Sequence, residues 1–160
     1  MKIEICESLL LSWLKHIKKC QITQLNWKAS ENWQSFNADE IGILIKKIKE
    51  IYPEVLKKST EKQFLSQAEL DILGANINNF HNEYYAVDVA FHTYGLRYKN
   101  NVEKISEKSI RSALLLYKFF NIKNGNIIFA SPKIIPKDII ALENRIEEIS
   151  ELITKLGLNF

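Results

Sequence analysis

Apolar residues near the start of the chain recur every four positions, at Ile5, Leu9, Trp13 and Ile17, with Leu10 and Leu14 widening the stripe. That spacing predicts an amphipathic helix from Ile3 to about Lys19, with Glu4 and Glu7 in a first turn where the helix dipole favours acids. The stretch QITQLNWKASENWQSFN that follows is polar, shows no period and reads as irregular. Asp39 then stands where it caps a second helix through Ile41, Leu44, Ile45 and Ile48, which ends near Tyr52 because Pro53 follows. At Phe64, Leu65, Leu70, Ile72 and Leu73 the period changes to that of a strand pair with Asp71 inside it, closing at Gly74 and the turn ANINNFHN.

The run YYAVDVAFH, residues 84 to 92, has aromatic and β-branched residues at strand density and a single acid, Asp88. After a loop through Asn101, Ile105, Ile110, Leu114 and Tyr117 mark one face of a helix over 102–120. Asn124-Gly125 predicts a turn, NIIFA a short apolar strand, and Pro136 the first position of a last helix expected over 137–157. That helix spaces Ile139, Leu142, Ile146, Ile149, Ile153 and Leu156 by threes and fours, a seam that either docks on its own domain or pairs two copies. The order helix, helix, strand, strand, strand, helix, strand, helix predicts an α/β (α+β) fold with a small mixed central sheet flanked by helices, in a single domain over 1–160.

Composition changes this picture little. With 160 residues, 46% hydrophobic and 26% charged, the chain is long enough to bury a sizeable core, and a net charge of +3 permits nucleic-acid binding without arguing for it. Its two cysteines, Cys6 and Cys20, would lie about 21 Å apart along one helix, beyond disulfide reach, so a reduced, cytoplasmic chain is expected. The opening apolar run LLLSWL is too short for a membrane span and lacks a cleavage site, so neither a signal peptide nor a membrane partner is expected. No GxxxxGK[ST], GxGxxG or GxSxG motif occurs.

Asp88 is the residue that calls for an explanation. A carboxylate inside a buried strand must be paired, hydrogen-bonded, metal-bound or at an edge, because burying it bare costs several kcal/mol. Strand alternation sets Asp88, Ala90 and His92 on one face, and Gln67, Glu69 and Asp71 on one face of the preceding strand. If the two strands are neighbours, Asp71 and Asp88 converge, and two carboxylates there suit a hard divalent cation; the alternative is that either acid points to water at a strand end.

QAELDILG, a turn, YYAVDVAFH, a helix and NIIFASPK together resemble the core of the PD-(D/E)xK nuclease superfamily, closest to its restriction-endonuclease-like and Holliday-junction-resolvase-like branches. The resemblance runs from the first helix to NIIFASPK and rests on the order of short motifs. It implies a restriction-endonuclease-like core that hydrolyses phosphodiester bonds in DNA with Mg2+ or Mn2+, in a restriction or defence setting. It also implies roles residue by residue. Asp71 matches the second-strand aspartate and Asp88 the acid of the third-strand motif, with the Val89 carbonyl as a further metal ligand. Glu7 or Glu4 would be the first-helix acid, and Glu69 another metal ligand.

The departure is Ala90, which stands where the superfamily has a lysine that stabilises charge developing at phosphorus. Lys133 is the first candidate to replace it, followed by Lys108 and Lys28, while His92 either orients water or is a hydrogen-bonded structural residue. A nuclease core of this size implies a second copy or an additional recognition domain, and the chain reads equally as a fragment of a longer protein.

Two other readings stay open: a nucleic-acid-binding module that keeps the nuclease fold without the reaction, and a scaffold or oligomerisation domain built on the last helix. His16 and Cys20 have the i, i+4 spacing of a zinc pair but no second pair beside them. Lys15, Lys18, Lys19 and Lys28 lie close in sequence to Trp27 and Trp33, which suits phosphate contacts or a solvated helix end.

Overall fold

The computed structural model describes residues 2–30, 33, 35–54, 64–65, 69–91, 94–96 and 98–160. Among them the chain forms α1 (Lys2–His16), β1 (Ile22–Lys28), α2 (Ala38–Ile51), β2 (Glu69–Asn76), β3 (Glu83–Val89), α3 (Asn101–Phe120), β4 (Asn126–Ala130) and α4 (Pro136–Lys155). The class is α+β, as expected. A four-stranded mixed sheet runs in the order β1-β2-β3-β4, antiparallel through the first three strands and parallel between β3 and β4. Helix α3 is the crossover that a parallel pair requires.

Each face of the sheet buries a different set of side chains. Leu14 of α1 packs with Ile72, Tyr85, Val87 and Val89. The larger cluster joins Ile41, Ile45 and Ile48 of α2 and Leu114 to Tyr117 of α3 with Trp27, Leu70 and Ala86 of the sheet and Ile149 and Ile153 of α4. Gly74 lets α1 come close: a Cβ there would stand 3.1 Å from Leu14 Cδ1.

Several elements differ from the sequence reading. The stretch read as irregular contains β1, an edge strand whose only buried side chain is Trp27. With nothing apolar required on its outer positions, it shows no period. Phe64 and Leu65, read as strand, are helical and buried, so the expected strand pair is the single strand β2, whose neighbour β1 comes from before α2. Gly74 does not close β2, which continues to Asn76. Asn37, in the left-handed region at φ 53, precedes α2 in place of the expected Asp39 cap, and no side chain caps the helix.

The stripe read on α1 is not its buried face. Ile5, Leu9 and Ile17 are about two-thirds exposed, whereas Leu14 is fully buried, with Cys6, Leu10, Leu11 and Trp13 packed around its cluster. The apolar arc of the helix is broad, running from Ile5 and Leu9 round to Leu14, so spacing alone does not choose which edge of it docks. On α4 the seam is split: Leu142, Ile149 and Ile153 dock on the body, while Ile139 and Ile146 stay partly exposed in a groove of about 450 Å³ beside Ile127 and Phe129. No helix among the described residues is long and apolar enough to cross a membrane.

The Tyr117 hydroxyl donates to Glu40 Oε2 and ties α3 to α2. Burial and that carboxylate together push the Tyr117 hydroxyl up to about 12. A raised folded-state value keeps its full stabilisation below the unfolded value near 10 and loses it as pH rises toward 12. Tyr117→Phe is therefore expected to cost about 1 kcal/mol near neutral pH and to flatten the alkaline loss of stability between roughly pH 10 and 12, measured by urea denaturation at stepped pH.

Candidate active site

The ladder between β2 and β3 stops at Ile72↔Val87. The outer ladders go further: β1 follows β2 down to Lys28↔Glu69, and β4 follows β3 up to Val89↔Ala130. The central pair of strands therefore forks, and the next two residues in register would be Asp71 and Asp88. At the fork a carboxylate replaces a backbone acceptor, since Val89 N–H donates to Asp71 Oδ2 at 2.6 Å.

Asp88 is 5% exposed, the most deeply buried acid among the described residues. It survives there because α3 brings it two donors. Lys108 Nζ lies 3.2 Å from its Oδ1, and the Ser112 hydroxyl donates to its Oδ2 at 2.7 Å. Lys108 and Ser112 are four residues apart, hence on one face of α3, and that face lies on β3 through Ala86 and its neighbours.

The charges act on one another. Burial pushes the Asp71 carboxyl above the ordinary carboxylate range, opposed by the Val89 N–H and the Lys108 ammonium and reinforced by Asp88 and Glu69. For Lys108 burial works downward, but the Asp88 and Asp71 carboxylates and the hydrogen bond to Asp88 outweigh it and hold the ammonium above its usual range. The centre thus sets two carboxyl groups around one fixed cation. Asp71 Oδ1 has no hydrogen-bond partner among the described residues, which leaves an oxygen for a ligand.

The other expected residues fall in different places. Glu7 is buried on α1, the helix that packs on the cluster holding Val87 and Val89, and it does not join the acids: among the described residues no three acids, histidines or cysteines come together as a set able to hold a metal ion. Glu69 pairs with Lys28 at 2.9 Å across the β1–β2 ladder, which engages both. Lys133 lies exposed in the loop after β4, where its carbonyl accepts from Leu96 N–H at 3.3 Å, and it forms no ion pair with Asp71 or Asp88. His92 and Gln67 lie outside the described residues, as does the side chain of Glu4. The zinc pairing of His16 and Cys20 loses its basis, because α1 ends at His16 and Cys20 sits buried beyond it, its thiol pushed up chiefly by burial.

Ala90 is 4% exposed and packs against Leu96, Ile105 and Leu142. A lysine here would put its stem among these apolar groups, so the cation arrives from α3 instead. Ser112 escaped the sequence reading. Its signal is a serine four residues beyond a lysine, inside a stretch that is otherwise the buried face of a helix.

Lys108→Met leaves Asp88 buried without its cation and is expected to destabilise the fold by about 3 kcal/mol. In a double-mutant cycle with Asp88→Asn, the two changes are expected to cost less together than their sum by at least about 1 kcal/mol, and additivity would show that the pair is not coupled. No family model matches the chain, and neither a curated protein nor a solved structure matches it.

Proposed function

We propose that this chain is a metal-dependent nuclease domain of PD-(D/E)xK type that hydrolyses phosphodiester bonds in DNA and works in the cytoplasm. The observation that carries this reading is the meeting of Asp71, Asp88 and Lys108 at the fork of β2 and β3. The donor set fits magnesium or manganese, which take oxygen ligands and in many sites need only one or two carboxylates besides water and phosphate. Asp71 and Asp88 would hold the ion, with the Val89 carbonyl at hand. When bound, it supplies Lewis-acid stabilisation of the charge that develops on the phosphoryl oxygens.

The chain's own groups do the rest. Val89 N–H fixes the Asp71 carboxylate and Ser112 fixes that of Asp88, so neither must reorganise when a phosphate arrives. Lys108 stands beside both acids with its ammonium already placed, and it takes the role of the lysine missing at position 90 by donating to a phosphate oxygen as water attacks in line.

A second reading is favoured by the same contacts. Asp88 has both oxygens engaged within the chain, which suits a nucleic-acid-binding module that keeps the fold without the reaction. Cleavage separates the two. With Mg2+ or Mn2+ the protein is expected to cut at least one of single-stranded, duplex and branched DNA, with Asp71→Asn and Asp88→Asn inactive. Lys108→Met is expected to be slower by roughly 10²- to 10³-fold, and Lys133→Met close to wild type. Intact DNA of every form would remove the nuclease reading, and loss of cleavage in Lys133→Met alone would move the lysine's role to that residue.

A further inference from the structure

Four aromatic rings from two distant segments meet at one end of the sheet. Trp27, almost fully buried, is in contact with Trp33 (ring centroids 5.9 Å apart), Phe119 (5.9 Å) and Phe120 (5.2 Å). The rings above it are not buried: Trp33 is 50% exposed and Phe120 37%, and nearby Phe36 is 47% exposed. The segment carrying Phe36 is pinned to the end of α3, since Phe36 N–H donates to the Lys118 carbonyl at 2.7 Å and the Asn37 amide donates to Asn121 Oδ1 at 2.8 Å. A core role accounts for Trp27. It does not account for three large aromatic side chains held in place with so much of their surface in water.

A cation flanks these rings: Lys118 Nζ lies 5.4 Å from the Phe119 ring. The position is tied to the acids by register: Trp27 pairs with Leu70, the residue before Asp71, and stands two strands from β3, about 10 Å across the sheet. Exposed ring faces beside an ammonium group are what an unpaired nucleic-acid strand requires, because its bases stack on aromatic rings while its phosphates meet cations. Duplex bases are already stacked on one another and offer no free face.

We infer that Trp33 and Phe120, over Trp27 and near Lys118, with Phe36 pinned next to them, form a stacking platform for unpaired bases, so that the acid centre is fed by single-stranded DNA or by the single-stranded part of a branched one. The inference rests on the nuclease reading for its substrate, but binding is measured apart from cleavage. The probe is an oligothymidylate titrated in EDTA and low salt, followed by tryptophan quenching and by anisotropy of a labelled strand.

Binding with quenching is expected, with a duplex of the same length weaker. Trp33→Ala and Phe120→Ala are each expected to weaken binding about tenfold, while Trp33→Tyr retains most of it. Phe36→Leu, at an exposed site that threatens the fold least, is expected to weaken binding as well. Equal affinity in wild type, Trp33→Ala and Phe36→Leu, a preference for duplex, or no binding of any DNA would overturn the platform and leave these rings as a surface for a protein partner. Loss of binding in the aromatic variants of a protein that cuts nothing would uphold the platform and sink the nuclease reading instead.

Discussion

Two carboxyl groups that meet in a half-dry place repel each other and lose water together, and a cation beside them relieves both costs. In this protein Lys108 is that cation. It reaches Asp88 directly and acts on Asp71 through space, and its own charge is held by the same two acids. Much of the structure around the fork follows from this arrangement. Helix α3 must lie with Lys108 and Ser112 over β3, and the crossover to β4 is thereby set. Asp71, turned toward Val89 N–H, takes the place of a ladder carbonyl and marks where β2 leaves β3.

The same arrangement accounts for the burial of uncharged neighbours. Once α3 is anchored at Asp88, its run Ala113 to Tyr117 falls on the core shared with α2, where Tyr117 bonds Glu40, and α4 packs along its outer side. Ala90 then has only apolar company, with Leu96, Ile105 and Leu142. A small residue at 90 and a lysine on α3 are two aspects of one packing solution.

Sequence patterning was most informative where burial is one-sided and continuous. The strands through Asp88 and NIIFA, the helices of α3 and α4, and the pairing of Asp71 with Asp88 all follow from alternation or helical spacing. It failed where burial leaves no period. Strand β1 hides only Trp27, helix α1 has an apolar arc wider than the face it buries, and Phe64 and Leu65 belong to too short a run to tell helix from strand. The lysine was a question of reach, which sequence distance does not answer: Lys133 adjoins a neighbouring strand yet lies in an exposed loop, whereas Lys108, behind it in the ranking, faces the acids across a helix-to-sheet contact. Ser112 carried too small a signal, a single hydroxyl in an apolar face.

The central claim is that Asp71 and Asp88 act as one centre that takes a divalent cation. Calorimetric titration of Mn2+ into the wild-type protein, Asp71→Asn and Asp88→Asn tests it most directly. The account predicts binding in the wild type that disappears in both variants while each remains folded. Binding that survives unchanged in both, or none in the wild type at millimolar Mn2+, would contradict it.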